Sequence, residues 1–175
     1  MALPAQKLAG GDATGWVAKM PSPRAWLASV DSALEASLRE RRVASVWTFP
    51  TELVRSARRN PMYATDPSEI RAAEAVRLLE RRPDSRLAEP VASQLRALAG
   101  IHDARYAFVP VEIRFEQVTR DGKPAGRAIL HAAVVDIRVA SLSWSGDVAS
   151  EVFADLSPAL VASLASRLAD LIVAR

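Results

Sequence analysis

The spacing of apolar residues along the chain predicts a series of helices. From Trp26 onwards an apolar residue recurs every three or four positions, as in an amphipathic helix, and this helix ends near Arg42. Capping residues and prolines predict further helices over residues 52–59, from 66–69 to about 82, from 90 to 100 and after 157–158. The last helix carries a stripe of leucines that we expect to pack in the core: Leu160, Leu164, Leu168 and Leu171.

A two-residue alternation replaces the helical spacing between residues 105 and 148. Residues 109–115 alternate apolar and polar side chains, which predicts a strand with one buried face. Asp121-Gly122 begins a turn, after which residues 127–138 predict a central strand with large side chains on both faces, and residues 142–148 predict a third strand. The short apolar run 43–49, which Pro50 stops, predicts another strand that extends this meander.

Together these elements predict an α+β fold, with a mainly antiparallel sheet of three to four strands and helices packed on its faces. Residues 1–24 are rich in Ala, Gly and Pro and show no sustained period, which predicts a loosely structured N-terminal arm. The remaining residues, 25–175, predict a single α+β domain, because a chain of 175 residues suits one well-buried core.

Composition excludes several classes of protein. Half of the residues are apolar and a quarter are charged, which is typical of a globular domain and not of a disordered chain. The absence of cysteine excludes disulfides, thiolate nucleophiles and cysteine metal sites. No apolar run approaches the roughly 18 residues that a membrane-spanning helix needs. The first 11 residues lack the apolar centre of a secretory signal, which indicates either a cytosolic protein or a mature chain.

The residue types that enzymes use are scattered along the chain. His102 and His131 are the two histidines, and neither has a second ligand at metal-binding spacing. The segment 143–146 lacks the first glycine of a nucleophile elbow, and Gly10, Gly11 and Gly15 do not open a phosphate-binding loop. We therefore expect a protein that is not an enzyme and that uses no metal or cofactor.

Arginines supply the strongest candidate for ligand binding. Arginine near the end of a helix can grip phosphate or carboxylate, and the candidates are Arg55, Arg58, Arg59, Arg77 and Arg81. Acidic residues lie between them, so a solvated face of salt bridges is the alternative. The net charge of +3 is small and the aromatic residues are scattered, so we do not expect nucleic acid as a partner.

The segment 136–146 carries a spaced signature formed by Asp136, Arg138, Trp144 and Gly146. It resembles a bacterial envelope domain found in the amino-terminal domain of TolB, in the curli-secretion lipoprotein CsgG and in LpoB-type activators of peptidoglycan synthases. In that domain a strand ends in Asp-x-Arg, and the chain turns and returns as a strand that ends in Trp-Ser-Gly. The stretch 105–112 resembles the strand that enters the same meander, and Arg-Arg-Asn-Pro at 58–61 resembles related lipoproteins.

The resemblance implies a non-catalytic binding or assembly module of the periplasm or cell envelope, with a protein partner or an envelope polymer as its target. It implies membrane attachment only through an anchor outside these residues. The first strand of that domain is replaced here by residues 11–14, so we expect an open sheet edge that favours self-association or partner pairing. The alternative is a cytoplasmic regulatory domain that binds an anionic ligand or nucleic acid through the arginines at 55–86.

Overall fold

A computed structural model describes residues 1–82 and 85–174. The described helices are α1 (Trp16–Lys19), α2 (Pro23–Glu40), α3 (Pro50–Arg59), α4 (Ala72–Arg81), α5 (Val91–His102) and α6 (Pro158–Val173). The strands are β1 (Tyr106–Arg120), β2 (Lys123–Asp136) and β3 (Ser141–Ala149), which form an antiparallel sheet in the order β1-β2-β3. The predicted α+β class is therefore confirmed, with three strands in the sheet.

The turn between β1 and β2 follows from the sequence. Asp121 and Gly122 have φ values of 53° and 72°, the left-handed conformation that a tight hairpin requires and that Asp-Gly adopts readily. The turn before β3 uses the same conformation at Ala140, where φ is 55°.

The prediction of a strand over residues 43–49 is wrong. Residues 44–46 form a short 3₁₀ turn, and Val46 is 81% exposed, so this apolar run does not supply one face of a sheet. Pro50 does not stop a strand, because it occupies the first turn of α3, where its missing N–H has no helical partner to lose. Trp47 packs its ring edge-on against Phe108, with 6.3 Å between the ring centroids.

Residue contacts group the chain into two compact units, where the sequence predicted one domain over 25–175. The first unit comprises residues 1–4, 46–111 and 132–146, and it contains α3, α4, α5 and one portion of each strand. Its core holds fully buried side chains from all three helices and from the strands, among them Leu53, Val76, Leu79, Leu95, Leu98, Val109 and Val135.

The second unit comprises residues 5–45, 112–131 and 147 onwards. Here α2 packs along α6, and the leucines of the two helices are buried: Leu27, Leu34, Leu38, Leu160, Leu164 and Leu168. Trp16 and Trp26 both pack edge-on against Phe115 of β1, at centroid distances of 5.5 and 5.3 Å. The prediction that the leucine stripe of the last helix packs in the core is confirmed for Leu160, Leu164 and Leu168, whereas Leu171 is only half-buried. Helix α2 is a packing partner of this helix.

The N-terminal segment differs from the loose arm that the sequence predicted. Met1, Ala2 and Leu3 are buried, and parallel bridges join Ala2 to Phe108 and Leu8 to Ile113. Backbone pairing needs only two or three residues at each bridge, so it leaves no period in the sequence. The bridges cover β1 at two places along the edge that we expected to be open. Within the described residues, no helix combines the length and the apolar character needed to cross a bilayer.

Candidate functional site

Asp136 joins the end of β2 to the residue that precedes β1. Arg105 donates to Asp136 Oδ2 from Nε and from an Nη atom, at 2.9 and 2.8 Å, and the N–H of Arg138 donates to Oδ1 at 3.0 Å. The hydrogen bond from Arg105 is the main cause that lowers the pKa of Asp136. The side chain of Arg138 is exposed, so the Asp-x-Arg pair uses only the backbone of its arginine here. These contacts give Asp136 a structural role, because they connect the end of β2 to the start of β1.

Trp144 and Gly146 form the second half of the signature. A Cβ placed on Gly146 would lie 2.8 Å from Cζ2 of Trp144, so the indole covers the position where a side chain would stand. Residues two apart in a strand share one face, and only glycine leaves room for the ring on that face. The Trp-Ser-Gly sequence therefore has a packing role that explains its spacing.

A row of ion pairs crosses one face of the sheet in the second unit. Asp147 of β3 accepts from Arg114 of β1 at 2.7 Å and lies 2.7 Å from Nδ1 of His131 on β2. Burial would raise the pKa of Asp147, but hydrogen bonds from Arg114 and His131 outweigh it and lower the pKa. The neighbouring pair Arg127–Glu116 has the same cross-strand form. Cross-strand pairs of opposite charge stabilise a sheet.

Possible metal ligands and His102 form no further site within the described residues. Among residues 1–82 and 85–174, no cluster of three or more His, Cys, Asp or Glu side chains is placed to hold a metal ion. His102 lies at the end of α5, and its buried Nε2 has no hydrogen-bond partner within that part of the chain.

The structure separates the candidate arginines into two sets. Arg55, Arg58 and Arg59 lie in the last turns of α3, and all three are exposed. Within the described residues Arg55 and Arg59 make no ion pair, and Nε of Arg58 lies 3.9 Å from Asp66 Oδ2. On α4, Arg77 is half-buried and engaged by a neighbour, whereas Arg81 is exposed at the helix end. The α3 set is thus the more available for a ligand.

The turn that comes immediately after α3 forms an exposed surface that the sequence did not indicate. Met62 and Tyr63 are 88% and 80% exposed in the turn 60–64. The turn is anchored, because Asn60 Nδ2 donates to the Ser56 carbonyl at 2.9 Å, and Tyr63 N–H and Ala64 N–H both donate to the Asn60 carbonyl at 3.0 Å. We call the surface formed by Arg55, Arg58, Arg59, Met62 and Tyr63 the α3 corner.

A groove of about 350 Å³ lies beside the α3 corner. Its lining combines small apolar residues with one arginine and two carboxylates: Ala57, Arg58, Pro61, Ala64, Thr65, Asp66 and Glu69. The sequence predicted that Asp66 caps a helix, but α4 begins at Ala72. Asp66 Oδ1 instead accepts from the N–H and Oγ of Ser68, at 3.0 and 2.6 Å, which holds a local turn.

Comparison with known proteins gives no assignment, because no protein-family model, curated protein or solved structure matches the chain. The resemblance of residues 136–146 to envelope domains therefore stays a prediction.

Proposed function

We propose that this chain is a non-catalytic binding module that recognises an acidic protein partner through the α3 corner. The observation that carries the proposal is the exposure of two adjacent large side chains, Met62 and Tyr63, on an anchored turn. Contiguous exposed apolar side chains that charged residues surround are candidates for an interaction site, and the arginines of α3 supply that surround here. Tyrosine, methionine and arginine are also the residue types that are enriched at protein interfaces.

The anchoring of the turn favours binding. A mobile loop loses conformational freedom when a partner orders it, and that loss weakens binding. Asn60 and the buried Ala64 fix both ends of the exposed pair before any partner arrives. The three arginines of α3 place positive charge beside Met62 and Tyr63, so a partner with acidic and apolar groups is complementary to this surface.

We place the module in the periplasm or cell envelope of a bacterium. The support is the spacing of Asp136, Arg138, Trp144 and Gly146, together with the packing roles of Asp136 and Gly146. An envelope polymer is the second kind of target that the resemblance implies. Fractionation of host cells tests this part: the native protein is expected in the envelope fraction, and recovery in the cytosol alone would contradict it.

A second candidate is a cytoplasmic domain that binds an anionic ligand or nucleic acid through the same arginines. The observation that favours it is that Arg55 and Arg59 are exposed and make no ion pair within the described residues. Salt concentration separates the two candidates. Binding to nucleic acid weakens steeply with salt because phosphate contacts release counterions. An acidic protein partner also loses its attraction to the arginines, but it keeps the contribution of Met62 and Tyr63, which depends little on salt.

The partner proposal is tested by site-specific photo-crosslinking in the host. A photoreactive residue at position 62 is expected to capture a defined protein, and the same residue at exposed Ala28 of α2 is the control. The captured protein, once purified, must then bind the chain directly, and Tyr63→Ala must weaken that binding at least about tenfold. Equal capture at both positions, or equal affinity for Tyr63→Ala, would overturn the proposal.

A further inference from the structure

The groove beside the α3 corner presents opposite charges at short range. Arg58 forms one part of its lining, and the carboxylates of Asp66 and Glu69 form another. The closest charged atoms are Arg58 Nε and Asp66 Oδ2, which lie 3.9 Å apart. The Arg58 side chain is 74% exposed and its contact with Asp66 is long, so the guanidinium is held loosely and can turn to a ligand. The Asp66 side chain is 23% exposed and stays in place.

We infer that this groove binds the head group of an α-amino acid. The carboxylate of the ligand pairs with the guanidinium of Arg58, and its ammonium group is held by the acidic side, where Glu69 is exposed and makes no ion pair in the described residues. Guanidinium matches carboxylate in a bidentate arrangement, which fixes the orientation of the ligand. The side chain of the ligand then rests on the apolar lining of Ala57, Pro61 and Ala64.

The distance between the charges selects this class of ligand. In an α-amino acid the nitrogen and the carboxyl carbon are separated by only about 2.5 Å, from standard bond lengths and angles. Each further residue of a peptide adds up to about 3.5 Å between its two ends. A ligand that lies alongside the Arg58–Asp66 pair meets two opposite charges only 3.9 Å apart, which suits the closely spaced charges of an α-amino acid head group better than the two ends of a peptide.

The size and the lining of the groove agree with a small ligand. A volume of about 350 Å³ is near the lower end of the range for ligand pockets. Ala57 and Ala64 are buried, so the apolar part of the lining is set by the packing of α3 and its turn. Asp66 is held in position by Ser68, which keeps its negative charge beside Arg58.

Titration with three related compounds tests this site. L-Leucine carries both charges, 3-methylbutylamine lacks the carboxylate, and N-acetyl-L-leucine lacks the ammonium group. Calorimetry and amide chemical shifts of residues 57–69 are expected to show binding of leucine, with each analogue at least about tenfold weaker. Equal binding of the amine would indicate a plain cation site, and equal binding of the acetylated compound would indicate a plain anion site. Either result, or no binding of leucine in the millimolar range, overturns the inference.

Variants assign the charges to residues. Arg58→Gln and Glu69→Gln are each expected to weaken leucine binding at least about tenfold. Arg71→Gln and Glu74→Gln are the matched controls, because both side chains are exposed outside the groove and their removal is expected to leave the affinity unchanged. A dipeptide such as leucyl-leucine separates a free amino acid from a peptide as the source of the head group, and binding equal to that of leucine would contradict the argument from charge spacing.

This inference shares Arg58 with the partner proposal, but the two are tested separately. Met62 and Tyr63 do not line the groove, so leucine binding can persist when crosslinking at position 62 fails. In the same way, crosslinking at position 62 can succeed when leucine does not bind.

Discussion

The indole of Trp144 lies over Gly146, and a Cβ at position 146 would stand 2.8 Å from Cζ2 of the ring. Real Cβ atoms do not approach carbon this closely, so any side chain at this position displaces a tryptophan that is itself half-buried. The relationship gives the Trp-Ser-Gly segment a physical reason that does not depend on any likeness to other proteins.

Gly146→Ala is therefore expected to lower the free energy of unfolding by about 1–3 kcal/mol. Urea unfolding followed by tryptophan fluorescence measures the change. Gly100→Ala serves as the control, because no atom lies within 4 Å of the added methyl group and alanine favours the interior of α5. If Gly146→Ala is as stable as the parent chain, Trp144 moves aside without loss of stability and the expectation is wrong.

Asp136→Asn is expected to reduce the stability of the fold and to make that stability less dependent on pH in the acidic range. The pKa of Asp136 is lower in the folded chain, so its ionised form contributes stability above the unfolded pKa, and that contribution is lost as pH falls through the folded pKa. Melting temperatures of both proteins between neutral and acidic pH measure the effect. Arg138→Ala should leave the melting temperature unchanged, because Asp136 uses only the backbone N–H of Arg138.

Asp31 is expected to make the protein less stable as pH rises through weakly acidic values. Burial raises the pKa of Asp31 from 3.8 to about 7, although the N–H of Ala5 donates to its carboxylate. Between these values the folded state binds more protons than the unfolded state, so stability falls as pH increases towards 7 and levels off above it. Ionisation costs at most about 4 kcal/mol at the high-pH end.

Asp31→Asn removes this dependence, because the amide oxygen still accepts from Ala5 and carries no charge. The variant is expected to gain stability relative to the parent chain as pH rises from 5 to 8. The amino group of Met1 has the opposite effect, since burial lowers its pKa to about 6, and its contribution cancels when the two proteins are compared at each pH. A constant difference between them over this range would rule out the raised pKa of Asp31.

Arg41 fastens the end of α2 to α6. Its guanidinium donates to Asp170 Oδ1 at 2.9 and 2.7 Å, to Ser166 Oγ at 2.8 Å and to the Ser37 carbonyl at 2.9 Å. Arg41→Gln is expected to cost about 1–2 kcal/mol, with Arg41→Lys intermediate because lysine keeps the charge but not the fork. Thermal unfolding measures the stability of both variants. Equal stability of Arg41→Gln and the parent chain would show that water replaces these hydrogen bonds at no cost.

Helices and strands with a sustained period were predictable from the sequence. The apolar rows of α2 and α6 and the alternation of β1 over residues 111–115 bury one face each, so there the pattern and the environment agree. Residues 107–111 of β1 are buried on both faces, although residues 109–111 share the same alternation. Residues 43–49 show where this fails. An apolar run without a period specifies burial without specifying backbone conformation, and Val46 stayed in solvent while Phe49 entered the core.

The candidate sites were predictable only in part. Arginine positions near the end of α3 followed from its helical pattern, and the resemblance singled out Asp136 and Gly146. The partner of Asp136 did not follow, because Arg105 is 31 residues away and the pairing depends on the register of β1 and β2. Exposure of Met62 and Tyr63 was also hidden, since the composition of a turn does not reveal which side chains its hydrogen bonds direct outward.

The bridge between Ala2 and Phe108 affects how the protein is made. A ribosome completes more than a hundred residues between the two partners, so the first residues leave the exit tunnel long before the strand that accepts them exists. Met1 and Leu3, which end in the interior, remain without their native partners throughout that interval. Contacts this distant along the chain form slowly, and the opening residues are expected to join the first unit only after β1 has been synthesised.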